Sequence, residues 1–254
     1  MTPLERINYI RKWIVDYVES MDKPANCLVI GISGGVDSSV VSTICALTGI
    51  KTLVASMPIS QLPQDHDLSI KHKRWLTTKF QNCYSVEIDL THTFLTFENQ
   101  MIDMKFTDKM GLANSRARMR MMCLYQLSAS TSGIVVGTGN KIEDFGVGFF
   151  TKYGDGGVDI SPIADCTKTQ VWAMAKELKI LDEIVEAEPT DGLWNDGRKD
   201  VDQLGMSYSQ IEYLMNNPAE PTYEKYLKLR KKNLHKMKPI PVCTFDGKTD
   251  LAND

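Results

Sequence analysis

The string Ser33-Gly34-Gly35-Val36-Asp37-Ser38-Ser39 sets two residues without a Cβ, three hydroxyls and a carboxylate directly after the apolar residues 27–32. A strand that ends in such a turn and continues as a helix leaves small side chains and unbonded backbone N–H groups at a helix N-terminus, which together cradle an anion. The arrangement suits a pyrophosphate. It is not a Walker A loop, because the Gly-Lys-Ser/Thr ending is missing, and it lacks the third glycine of a dinucleotide fingerprint. Asp37 would repel phosphates held beside it unless a divalent cation lay between, which implies magnesium.

The elements that must hold this loop follow from periodicity. Val40, Val41, Ile44 and Leu47 continue past it at helical spacing until Gly49, giving a strand, a glycine turn and a helix. Residues 52–56, 84–88 and 134–138 read as further strands. Helices are expected over 66–79, 114–130, 167–180, 207–216 and 220–233, and Leu4, Ile7, Ile10, Ile14, Tyr17 and Val18 make the first twenty residues an amphipathic helix. Strands alternating with helices predict an α/β fold, a doubly wound parallel sheet flanked by helices, with ligands bound beyond the carboxyl ends of the strands. That topology brings Glu143, after the fourth strand, to the same sheet edge as the phosphate loop. Residues 137–162 are rich in Gly and Asp and include Asp155 in a Gly-Asp-Gly-Gly turn, while the polar residues 188–197 read as a loop that could act as a lid.

Composition narrows the partners. A net charge of -3 gives no general attraction to nucleic acid or to an anionic membrane, so phosphate binding must be local. Six scattered cysteines, without a CxxC pair, read as reduced thiols in a cytoplasmic protein. Neither a basic segment leading into an apolar stretch at the N-terminus nor a membrane-length apolar run is present.

The first loop resembles the SGGxDS loop of ATP pyrophosphatases, which cleave ATP between its α and β phosphates. Four more strings extend the likeness to nearly the whole chain: Asn114-Ser115-Arg116-Ala117-Arg118-Met119-Arg120-Met121; Gly137-Thr138-Gly139-Asn140-Lys141-Ile142-Glu143; Phe149-Phe150-Thr151-Lys152-Tyr153-Gly154-Asp155-Gly156-Gly157-Val158-Asp159; and Glu188-Pro189-Thr190-Asp191-Gly192-Leu193-Trp194. Together they resemble the NAD synthetases, the third string most specifically. The resemblance implies an adenine nucleotide alpha hydrolase-like fold and one synthetase domain over residues 1–254, without a glutamine-hydrolysing domain. It implies ATP-dependent amidation of nicotinic acid adenine dinucleotide with free ammonia, through an adenylated carboxylate, giving NAD, AMP and pyrophosphate, in a homodimer.

Residue by residue, the likeness assigns ATP binding to Gly31, Ser33, Gly34, Gly35, Val36, Asp37, Ser38, Ser39, Arg118, Thr138, Lys168 and Thr190. Asp37, Glu143 and Asp155 would bind Mg2+, and Asp37, Asp155 and Lys168 would act in catalysis. Lys152, Asp159, His235 and Lys236 would bind the dinucleotide. Arg116 and Arg120 share a helical face while Arg118 points about 200° away, so the three cannot all touch one ligand. Two rival readings stand beside this one. Another SGGxDS-type pyrophosphatase, an amidotransferase or thiolation synthetase, would lack the third string, and a nucleotide-binding sensor without catalysis would be expected to have lost an acid or the lysine.

Overall fold

The protein is described here from a computed structural model, in which residues 1–60, 63–189 and 199–245 are described, residues 63–66 for their backbone alone. Four parallel strands, β1 (Leu28–Gly31), β2 (Thr52–Ser56), β3 (Cys83–Glu87) and β4 (Ile134–Val135), form one sheet in the order β3-β2-β1-β4. Leu28 pairs with Thr52 on one side of β1 and with Ile134 on the other. Every residue of β2 and the first three of β1 are buried, as the apolar, non-alternating runs require of strands covered on both faces.

Alternate β1 residues face different layers. Leu28 and Ile30 enter a core with α1 (Pro3–Ser20), α2 (Val36–Leu47), α3 (Pro63–Lys79) and α6 (Lys168–Glu177). Val29 and Cys27 meet Leu124 and Leu127 of α5 (Lys109–Thr131) on the opposite face, where α4 (Thr91–Asp103) also packs through Phe94. The short α7 (Asp182–Val185) follows α6. A smaller core joins α8 (Asp200–Leu204), α9 (Tyr208–Asn216) and α10 (Tyr223–Met237) to a π-helix, Lys141–Val147. The first helix is set by local chemistry: Pro3 at its first turn, a reciprocal Thr2–Glu5 capping box, and a buried stripe of Ile7, Ile10, Ile14 and Val18.

Some boundaries depart from the periodicity. The fourth strand stops after two residues because Val136 turns to bridge Ile160 and the Gly137 N–H donates to the Ile160 carbonyl, 2.8 Å away. The helix expected over 167–180 ends at Glu177, just before Lys179 takes a φ of 57°. Neither α4 nor the π-helix was expected; α4 is rich in Thr and Phe, poor helix formers, and buries only Phe94 fully. The loop over 188–197 falls almost wholly outside the described residues. Among the described residues no helix is long and apolar enough to cross a membrane.

Behind the phosphate loop, the fully buried His72 of α3 meets Ser42 of α2, Nε2 to Oγ 2.9 Å. The Ser42 hydroxyl donates to the Ser39 carbonyl, so it accepts from His72 and fixes the Nε2–H tautomer. Nδ1 then has no hydrogen-bond partner among the described residues, and burial pushes the imidazole down to about 4. Because the folded value lies below the unfolded one, the neutral ring supports the fold above about pH 6.5 and that support is lost as pH falls towards 4. His72→Gln is expected to flatten this acid limb. In urea unfolding at pH 7 and pH 4.5, the wild type should lose on the order of 2 to 3 kcal/mol more than the variant; equal losses would show that His72 is not held neutral.

Candidate active site

Gly31 ends β1 and Gly34 turns the chain with a φ of 92°, a left-handed value that a side chain would strain. Three hydroxyls then fix the turn. Ser38 Oγ donates to the Gly35 carbonyl at 3.0 Å and Ser39 Oγ to the same carbonyl at 2.9 Å, while Ser33 Oγ lies 3.1 Å from Ser38 Oγ and accepts from the Gly35 N–H. Gly35 is the N-cap of α2 and offers no side-chain cap, so the first turn of that helix keeps its amides for an anion.

Above this loop lies a cavity of about 580 Å³ at the carboxyl ends of β1 and β4. Asp37, at the start of α2, and Glu143, in the π-helix, both pair with Lys168, the first residue of α6. The Glu143 contact is 3.0 Å. Asn140 joins the group twice: its Nδ2 donates to Asp37 Oδ1 at 3.2 Å, and its Oδ1 accepts from the N–H groups of Ile142 and Glu143 at the start of the π-helix. A Thr167–Gln170 capping box sets the first turn of α6 and hence Lys168.

Burial works against the Lys168 ammonium, yet its two carboxylate partners outweigh it and hold the amine above the usual lysine value. Burial also lifts Asp37, whose share of the single ammonium is contested by Glu143. Glu143 ends below its ordinary value: burial raises it, but Lys168 and hydrogen bonds from Tyr208, Lys168 and Asn140 prevail. Asp155, fixed by the Thr151 N–H at 2.9 Å, is pushed up to about 6, chiefly by burial.

Two participants escaped the sequence reading. Tyr208, at the start of α9, places its hydroxyl 2.6 Å from Glu143 Oε1 and 2.7 Å from Asp200 Oδ2, and its ring 4.8 Å from Lys168 Nζ. Asp144, next to Glu143, also lines the cavity; burial and the charges of Glu143, Asp155 and Asp37 push it up to about 8. An acid beside Glu143 was the only signal for Asp144, and nothing local pointed to Tyr208.

Of the residues assigned from sequence, Gly31, Ser33, Gly34, Gly35, Val36, Asp37, Ser38, Thr138, Glu143, Asp155, Lys168, His235 and Lys236 line this cavity. Ser39 lies beneath the loop, fully buried. Arg118 is not among the lining residues: its Nε donates to the Lys152 carbonyl and it borders a second groove between α4 and α5. The arginine that reaches the main cavity is Arg120, because the helix turns Arg118 to the opposite side. Lys152 and Asp159 also lie outside the cavity; the Asp159 carboxylate accepts from the Val135 N–H at 2.7 Å and the Tyr125 hydroxyl at 3.0 Å. Thr190 falls outside the described residues.

The NAD synthase family model matches residues 6–242. The chain belongs to the NAD synthase family. Among its relatives, an NH(3)-dependent NAD(+) synthetase from Carboxydothermus hydrogenoformans is 34% identical, over 93% of this chain and 98% of the relative. The solved structure of an NMN synthetase from Francisella tularensis superposes with a TM-score of 0.86 at 30% identity, over 96% of this chain and all of that one. An NH3-dependent NAD synthetase from Campylobacter jejuni has a TM-score of 0.76 at 22% identity, over 96% of this chain and all of the other, and shares the fold. The parallel sheet flanked by helices is thus the α/β arrangement expected from the strand–helix alternation, and the fold is the Rossmann-like, adenine nucleotide alpha hydrolase-like one that the family resemblance implied.

If Lys168 neutralises both buried acids, Lys168→Met should destabilise this NAD synthase family chain by about 3–5 kcal/mol. Adding D37N and E143Q to that variant should recover most of the loss in urea unfolding at pH 8. A triple variant no more stable than Lys168→Met alone would show that the carboxylates do not depend on this ammonium.

Proposed function

We propose that this chain is a C–N ligase that amidates the carboxyl group of nicotinic acid adenine dinucleotide with free ammonia, consuming ATP and releasing NAD, AMP and pyrophosphate. One observation carries the reading: a family-typical phosphate loop faces an acid and lysine group within a single cavity. A carboxylate is a poor acceptor for ammonia, since its oxygen is a poor leaving group. Attack of that oxygen on the α phosphorus of ATP makes an acyl adenylate and expels pyrophosphate; ammonia then displaces AMP.

The chain's own groups answer the charge that develops. Amides at the start of α2 hold the phosphates, and Lys168, released from Asp37 and Glu143 as the nucleotide enters, turns its ammonium to the departing pyrophosphate. Asp155, which lines the same cavity, would accept the proton that ammonium must lose. Magnesium fits the donor set: Asp37, Glu143 and Asp155 are hard oxygen donors around one cavity, and although no three acids among the described residues already converge, this ion commonly takes one or two carboxylates and completes its shell from phosphates and water. When bound it would offset the mutual repulsion of carboxylates and phosphates.

A homodimer accords with the outer face of α4 and α5, where Ile102, Met104, Phe106 and Met122 are exposed beside a groove floored by Phe97 and Leu112. Arg118 lies on this side, and Lys152 and Asp159 bond to α5 through its side chains, so a dinucleotide that engages them must leave the cavity and cross the helix. The protein should sediment as a dimer, and M104E/F106E as a monomer. A monomeric wild type would remove the dimer from this reading. A single synthetase domain working in the reducing cytoplasm, with its cysteines free, completes the proposal.

A second reading is favoured by the fit to the NMN synthetase: amidation of nicotinic acid mononucleotide. Lys232, His235 and Lys236, at i, i+3 and i+4 on α10, line the cavity and offer cations to a phosphate that need not reach Lys152 or Asp159. Product chromatography with each nucleotide, ATP, Mg2+ and either ammonium or glutamine separates the readings. NAD and AMP in equal amounts with ammonium alone are expected. A larger kcat/KM for the mononucleotide would transfer the assignment to the second reading, and ATP cleavage with neither amide would defeat both.

A further inference from the structure

The π-helix that carries Glu143 is held by side chains of α10. Arg230, Asn233 and Lys236 recur every three residues along one side of α10 and all point polar hydrogens at the chain that follows Glu143. Arg230 Nη1 donates to the carbonyls of Phe145 and Gly146, the latter at 2.8 Å; Asn233 Nδ2 donates to Val147 O at 2.9 Å; Lys236 Nζ donates to Phe150 O at 2.7 Å. Lys236 and Asn233 line the cavity, and Lys236 stays with the substrate site, but Arg230 does not line it.

The carbonyls of Phe145, Gly146 and Val147 are the ones a π-helix leaves open. Its bonds run from residue i to i+5, so the carbonyls of its last turn lack partners within the helix. The segment ends on Gly148, whose φ is 66° and whose N–H returns to the Glu143 carbonyl. A Cβ at Gly148 would lie 2.7 Å from Asn233 Cβ, so α10 rests directly on the turn. If the segment relaxed to α-helical register, everything after it would rotate by about 100° for the one residue expelled from the turn. The Thr151–Asp155 turn would move with it, and Glu143 and Asp155 would lose their common cavity.

We propose that Arg230, with Asn233, is a positioning residue of the ligase: it satisfies the terminal carbonyls of the π-helix, keeps that helix in register and so fixes Glu143 relative to Asp155. Arg230 touches neither acid and acts through the backbone between them. The activity consequence rests on the functional reading above; the structural consequence does not.

The test compares full-length wild type with Arg230→Ala and Arg230→Lys. Hydrogen exchange of the 141–150 amides should accelerate in R230A while those of β1 and β2 keep wild-type rates. Turnover should fall about 10- to 100-fold, the usual cost of removing a group that orients a site residue. Michaelis constants for ATP and ammonium should hold. Added guanidinium should restore part of the R230A rate, and R230K, which can serve one carbonyl, should fall between. Wild-type exchange at 141–150 in R230A, or a lost rate that guanidinium does not restore, overturns the proposal. If R230A does not fold, N233A, which frees only the Val147 carbonyl, must show the same local exchange or the proposal fails. A wild type that amidates neither nucleotide defeats the functional reading, and the exchange comparison still decides the clamp.

Discussion

One ammonium, almost wholly removed from water, holds two carboxylates that are 106 residues apart in the chain, Asp37 and Glu143. Neither acid could be buried beside the other without it, because like charges in a poorly solvated site repel and each forfeits its hydration. The fold is arranged to make that triple meeting possible. The sheet order seats β4 directly against β1, so the segments leaving both strands emerge side by side. Packing of α6 on α1 and α2 then delivers Lys168 to the same point. Asn140 completes the join, tying the phosphate-loop helix to the start of the π-helix through one side chain.

The same arrangement makes the site responsive. Lys168 is satisfied by acids in the described structure, yet those acids are the groups that suit a divalent ion and the ammonium is the group that suits phosphate. Under the proposed reading, a nucleotide carrying its ion would exchange partners with the protein and leave no buried charge unpaired. Tyr208 limits how far the exchange can disturb the acids, since its hydroxyl contacts Glu143 from α9 and its ring backs the lysine. The dedication of the small second core, α8 to α10 packed on the π-helix, to residues around this point follows from that need for support.

Legibility from sequence followed the range of the forces involved. The phosphate loop was readable because strand, glycine turn and helix are local, and Asp37, Glu143, Asp155 and Lys168 line one cavity. Arg118 and Arg120 were not separable in that way. Spacing says only that they point apart, and which one faces the ligand depends on how α5 is rotated against Val29 and Leu53, a matter of packing. Tyr208 gave no signal, since an aromatic at a helix start reads as core until its hydroxyl partner is known. The π-helix was invisible for a related reason: its register is held by carbonyl contacts from α10, about 85 residues away, and not by the propensities of its own seven residues.

The separation of the two arginines bears on which nucleotide the site accepts. The phosphate loop, Asp37, Glu143, Asp155, Lys168 and the cations of α10 line the cavity, whereas Arg118, Lys152 and Asp159 do not. The reacting end of either nucleotide would meet the same groups. Under the proposed reading only the far end differs: a second nucleoside would find its contacts at Arg118, Lys152 and Asp159, beside the proposed dimer face, while a mononucleotide would end within the cavity. Discrimination between the two would then rest on that outer surface and on dimerisation, leaving the phosphate loop, the acids and Lys168 free to serve the same amide chemistry.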